Sequence, residues 1–436
     1  MQLFKIFRGY WRLAISDFFS VYATSVAETT IQLWLLNSLL VGFADSSRYL
    51  TVYLTLCSIS ALITGLFFGA LAERFGVLKT IMGACATRMV AGLCIIGTIY
   101  ATNNSLIASH NVAFWVLTVL VLITTGSDTF YSPALTSFIN KVTDAEKLID
   151  VLSLMRLISL LGTLVGPAIA GFASSKNAYI SILFTETISL IITIVLILIV
   201  SKNSSAVSLT DTDDKATTAD TPQSTKNAFT EFFADWFAGL KIFAKTSTYR
   251  LLFPFAIFEA IASSGIGFAV ILFFSNVLHD TQSYGWCLSA MSLGYAISYA
   301  LAPRLAEKMS FWAMLTLSYI LIIFSLIGMA LSPNGLIAIL FGFCFSFSQA
   351  IISPSFQAIL VRAVDESLVS QVISVFVSVV AAIGAVSYAL WEFIYSLPVF
   401  PHLTHESIVI LGTAIIYVVM LILAVTIKKM RSLKVS

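Results

Sequence analysis

A chain of 436 residues that is 58% apolar and only 11% charged, with a mean hydropathy of +0.96, cannot coat a water-facing surface. That balance excludes a soluble enzyme, a nucleic-acid-binding protein and a disulfide-stapled secreted domain. It leaves a polytopic membrane protein, in which the net charge of +2 matters less than where the charges lie.

The basic amino terminus leads into an apolar run too long for a signal-peptide core, which reads as a retained first membrane helix. Runs long enough to span occur at about 13–43, 49–71, 80–101, 112–139, 148–173 and 178–200. After a polar gap they resume at about 250–278, 283–306, 311–331, 335–361, 368–397 and 407–427. All five cysteines fall in these runs and read as small buried residues. Basic residues alternate with the spans. Lys5, Arg8 and Arg12 precede the first, Arg74 and Lys79 follow the second, Lys141 and Lys147 follow the fourth, and the gap and tail are rich in lysine. In all, 20 basic residues fall on one side, against Arg48 and Lys176 on the other. The positive-inside rule then places both termini in the cytoplasm.

The gap at 201–228 is rich in Ser, Thr, Asp and Lys and reads as a disordered linker. Beyond it, Phe229, Phe232, Phe233, Trp236, Phe237 and Leu240 share one helical face, which predicts an interfacial amphipathic helix over 229–245. The expected domains are a six-helix bundle at 1–200, a cytoplasmic linker at 201–248 and a second bundle at 249–436. The halves repeat. LAER at 71–74 answers LAEK at 305–308, and SPALTSFINKVTD at 132–144 answers SPSFQAILVRAVD at 353–365. The slack between these matches falls in the longer loop around TNNSLIASHNV.

Between the second and third spans lies GALAERFGVLK, residues 69–79. Gly69, Glu73, Arg74, Gly76 and Lys79 resemble the loop motif of the major facilitator superfamily, with Glu73 where that family most often has Asp. The resemblance covers nearly the whole chain. It implies an all-α fold of twelve transmembrane helices in two pseudo-symmetric six-helix bundles, with substrate bound between repeats at mid-membrane. By the pseudo-symmetry, Glu73 is expected near the start of helix 11, as a latch between the halves. In helix 5, GTLVGPAIAG places Gly162, Gly166, Pro167 and Gly171 on a flattened face suited to close packing with a kink. The same run resembles the exporter motif of the superfamily, with Ala170 replacing one glycine. In helix 11 only Gly384 is kept, with Tyr388 and Ala389 where Gly-Pro would stand. The segment YSPALTSFINKVTDAEKLIDVLSLMR resembles a branch that includes macrolide-efflux and enterobactin-type siderophore exporters. The arginine of R-x-x-Q-G in helix 4, frequent in drug antiporters, is absent, since Leu122 precedes Thr125-Gly126.

Charges within spans are costly and mark candidate function. Asp128 in helix 4, Glu28 in helix 1 and Glu259 in helix 7 are the candidate proton carriers, with Arg156 and Arg88 as charge partners. Asp128 lies 13 residues before Lys141, roughly 20 Å along a helix and so near mid-membrane. Arg156 lies nine residues beyond Lys147, roughly 14 Å deep, and a helix tilt would bring it level with Asp128. Glu186 and Glu392 read as structural or interfacial. The histidines fall in loops, and no nucleophile–base set or zinc signature occurs, so neither catalytic residues nor metal ligands are assigned.

The expected function is proton-driven export of a small amphipathic or hydrophobic compound, such as a drug or siderophore, by a monomer in a bacterial inner membrane. Its partners would be substrate, protons and membrane lipids, with no cofactor and no nucleic acid. An uptake symporter, a lysophospholipid translocator and a transport-inactive sensor are the alternatives.

Overall fold

The computed structural model describes residues 2–43, 45–107, 109–143, 148–203, 241–242, 245–364, 366–398, 402–427 and 429–430. The linker at 201–228 falls outside these residues beyond Asn203, as does most of the amphipathic segment 229–245.

Among the described residues the chain forms twelve long α-helices and no strand. Six come first: α1 (Gln2–Trp34), α2 (Ser46–Phe75), α3 (Val77–Asn103), α4 (His110–Val142), α5 (Leu148–Ser174) and α6 (Tyr179–Asn203). Six follow: α7 (Ser247–Leu272), α8 (Thr281–Lys308), α9 (Phe311–Ala330), α10 (Gly335–Arg362), α11 (Glu366–Tyr395) and α12 (His405–Thr426). Nine of the helices are long and apolar enough to cross a membrane, counting described residues only. In a bilayer every backbone polar group must be satisfied within the segment, which is why these runs are helical throughout.

Two compact units result. The first comprises residues 1–46 and 59–219, and the second 47–58 and 220–436. In the first, α1 packs on α5 and α6, and α3 on α4 and α6. The second repeats these pairings: α7 packs on α11 and α12, and α9 on α10 and α12. Residues 47–58 of α2 cluster with the second unit, where Ser47 and Thr51 hydroxyls donate to the Glu392 carboxylate at 3.0 and 3.3 Å.

Two local features shape the units. The first helix of each ends in a π-helical turn, Leu35–Leu39 after α1 and Phe273–Val277 after α7. The contact between α1 and α5 is built on glycine. A Cβ at Gly162 would stand 2.9 Å from the Tyr22 backbone nitrogen, and one at Gly166 would stand 2.8 Å from Ser25 Cβ and 2.9 Å from the Val26 nitrogen. Backbone meets backbone there, as small residues allow between membrane helices. Pro167 lies inside α5, and Gly171 is buried.

Candidate functional site

In the first unit, a polar stripe at helical spacing runs along α1 through Asp17, Ser20, Thr24, Glu28 and Gln32. Arg88 enters it from α3 and Asp128 from α4. The Arg88 side chain is 2% exposed and its Nη1 meets Asp128 Oδ1 at 2.8 Å. Thr24 ties the pair to α1, donating its hydroxyl to Asp128 Oδ1 at 2.9 Å and accepting from Arg88 Nη2 at 2.7 Å. Arg88 Nη1 also donates to the Ser20 hydroxyl at 3.2 Å. An arginine can satisfy several acceptors at once because its donors form a fixed planar fork. Asp128 remains 36% exposed on its side chain, so the pair has one dry end and one open end.

The partner of Asp128 is therefore Arg88. Arg156, which a depth argument places level with Asp128, is exposed and lies within electrostatic reach of Asp17. Asp17 itself accepts a hydrogen bond from Ser159 of α5. Counting residues from a helix end gives depth but not azimuth, and α5 presents Arg156 to another part of α1. Glu186 of α6 is buried, within electrostatic reach of Arg88, against Gly92 of α3. Glu28 is exposed and accepts from Gln32 at 3.5 Å.

Gly76 forms the break between α2 and α3 with a φ of +79°, where glycine is favoured because it has no Cβ to clash. Thr80 closes the first turn of α3 by donating to the Gly76 carbonyl at 2.9 Å, and Lys79 is exposed. The surroundings of Gly69, Glu73 and Arg74 lie outside the described residues, as does the expected contact of Glu73 with the start of α11.

The second unit holds a cavity of about 590 Å³. Phe255, Glu259 and Ser263 line it from α7, Tyr295 and Tyr299 from α8, Tyr319 and Ile322 from α9, Gln349 and Phe356 from α10, and Phe376 from α11. Glu259 accepts the Tyr417 hydroxyl at 2.9 Å and the Ser263 hydroxyl at 3.5 Å. Gln349 donates its amide to Glu259 and accepts the Tyr295 hydroxyl, so four side chains from four helices form one chain of hydrogen bonds. Ser263, Tyr295 and Gln349 also line a smaller cavity of about 170 Å³. They are the partition between the two spaces.

Ser20, Thr24, Ser263, Tyr295 and Tyr417 are not singled out by reading charges alone. The signal for three of them is spacing: Ser20 and Thr24 sit on the stripe with Glu28, and Ser263 follows Glu259 by one turn. Tyr295 and Tyr417 carry no comparable signal. His405 and Glu406, at the start of α12, are engaged locally. His405 Nδ1 lies 2.7 Å from the Tyr395 carbonyl, and Glu406 accepts from Asn276 and Tyr395 at 3.0 Å each.

A family model described as Major Facilitator Superfamily matches residues 13–389. Among solved structures, the fold is similar to a POT family transporter in complex with a thioalcohol-conjugated peptide, at TM-score 0.70 and 12% identity over 97% of each chain. It is similar to a mutant of the nucleoside transporter NupG at TM-score 0.70 and 12% identity, over 95% of this chain and 98% of that one. A D-xylose-proton symporter matches at TM-score 0.69 and 13% identity, over 97% of each chain. No curated protein matches the chain at the level of sequence.

Proposed function

The chain belongs to the Major Facilitator Superfamily, and from that premise we propose that it is a proton-coupled exporter of a small amphipathic or hydrophobic compound, such as a drug or a siderophore. Its apolar helices and its family make it an integral membrane protein with a transporter fold, which points to a transporter rather than an enzyme. In this reading it is a monomer of the bacterial inner membrane, with both termini in the cytoplasm, no cofactor, lipids around it, and the proton gradient as its energy source. Export as the direction is supported by the glycines of α5, which stand in the first unit only, as in the exporter motif they resemble.

The Asp128–Arg88 pair carries the coupling. A carboxylate deep in a helical bundle, open on one side and paired on the other, exchanges a proton for an arginine contact. When Asp128 takes up a proton the pair weakens, and Arg88 keeps Glu186 as a second carboxylate within reach. Alternating access then couples proton entry to substrate exit by the two halves rocking about a midplane site. Glu28 and Glu259 are the fallback carriers.

The test uses proteoliposomes with an imposed pH gradient, offered erythromycin and a catecholate siderophore. Wild-type protein concentrates one of them against its gradient, whereas Asp128→Asn supports only passive exchange. Uphill export by Asp128→Asn at the wild-type rate removes Asp128 from the coupling. Uptake symport is the second reading, favoured by the similarity to a D-xylose-proton symporter. The direction of net flux in inside-out vesicles separates the two.

A further inference from the structure

We infer that the cavity of the second unit is a binding site for an organic cation, held by the Glu259 carboxylate and the aromatic rings around it. Three observations meet there. The first comes from the duplication. The N-cap of α3 is Gly76 and that of α9 is Ser310, the same 234-residue offset that relates LAER to LAEK. By that offset the counterpart of Arg88 is Ile322, which is 1% exposed and lines the cavity. The first unit carries its own counterion for its central carboxylate. The second unit has the neutral Gln349 and Ile322 at the places of Asp128 and Arg88, so no arginine at that place answers Glu259 of α7, the only charged residue among the described residues lining the cavity.

The second observation is the geometry of the carboxylate. Its described donors, Tyr417, Gln349 and Ser263, all reach the same oxygen, Oε1. Oε2 has no hydrogen-bond partner among the described residues. The third is the wall. Phe255 stacks on Tyr319 with centroids 6.5 Å apart, Tyr295 stacks on Tyr299 at 6.3 Å, and Phe356 meets Phe376 at 6.4 Å. An uncompensated carboxylate in such surroundings is expensive, and aromatic faces attract cations as well as apolar bodies. A ligand with one positive charge and a hydrophobic frame supplies the missing counterion and fills the space, whose volume lies in the range of drug-sized ligand pockets. The chemical class is a lipophilic amine or a quaternary onium ion.

This names the substrate class of the proposed transporter and rests on that reading in calling the occupant a substrate. The experiment is equilibrium binding of tetraphenylphosphonium to the purified full-length protein in detergent, with tetraphenylborate as the anion of the same shape. Saturable binding of the cation and not of the anion is expected. Glu259→Gln weakens it by about tenfold or more, and Ile322→Arg, which returns an internal counterion, does the same. Tyr299→Leu, at an exposed ring that does not bond to Glu259, weakens it by a smaller factor and reports on the wall should either other variant fail to fold. Equal binding of the two ions, no saturable binding by the wild type, or cation affinity unchanged in the folded variants overturns the inference. Binding at equilibrium needs no gradient and no turnover. Its failure therefore leaves proton exchange at Asp128 standing, and uphill export by Asp128→Asn leaves the cation site standing.

Discussion

Position 128 of the first unit is an aspartate, and its counterpart 221 residues later in the second is Gln349. Around Asp128 the protein supplies an arginine, a threonine and a serine, and the result is an ion pair knitted into α1. Around Gln349 it supplies a glutamate from α7 and a tyrosine from α8, and the result is a bridge beside a cavity. The contact of the fifth helix of each half with the first differs as well. Gly162 and Gly166 bring α5 onto the backbone of α1, whereas a Cβ at Gly384 of α11 would find its nearest neighbour, the Ala260 carbonyl, 3.8 Å away. One architecture, written twice, thus yields a unit whose central carboxylate has its own arginine and a unit that keeps room beside a carboxylate with no internal cation among the residues lining the cavity.

Removing the internal counterion tests that contrast most severely. Arg88→Gln leaves Asp128 without its partner, and the melting temperature of the purified protein should fall by the equivalent of about 2 kcal/mol. This is less than the ~3–5 kcal/mol of a fully buried pair, because Asp128 is partly open to solvent. Adding Asp128→Asn should recover much of that loss, and a double variant no more stable than Arg88→Gln would mean that the pair is not what holds the stripe together. Next in size is a matched pair of glycine changes. Gly166→Ala drives a methyl group into the backbone of α1 and should cost about 1–3 kcal/mol. Gly384→Ala meets only ordinary contacts and should be neutral, or gain up to about 1 kcal/mol from helix propensity. Equal effects on melting temperature would erase the distinction between zipped and loose contacts. A smaller loss than that of Arg88→Gln is expected at the bridge. Gln349→Ala removes one donor from a partly exposed carboxylate that keeps Tyr417, at a cost of about 1 kcal/mol. A loss as large as that of Arg88→Gln would show that the second unit depends on its bridge as the first does on its pair.

Much of this fold is legible in the sequence because lipid imposes a length and a polarity on every span. The run read at about 311–331 is α9, Phe311–Ala330, and that at about 335–361 is α10, Gly335–Arg362. The first span is misjudged at its end. Leu39, Leu40 and Val41 continue the apolar run through a turn that Gly42 makes with φ +79°, after the helix has already opened into its π turn. Hydropathy reports where a residue sits relative to lipid, and the hydrogen-bond ladder can end or continue independently of it. At the site, the carboxylates are legible because a charge in a span is conspicuous. Their partners are not, since which face of α3 or α5 turns inward depends on packing that neighbouring helices decide together. Arg88 and Arg156 are equally basic in the sequence, and only the first is buried against Asp128, whereas the second is exposed within reach of Asp17.

The π turns that end α1 and α7 begin at Leu35 and Phe273, each closing the first helix of its half. A π turn holds one residue more than the α-turn it replaces, so the face built before it is not continued beyond it. The polar stripe of α1, last marked by Gln32, is complete before the register breaks at Leu35.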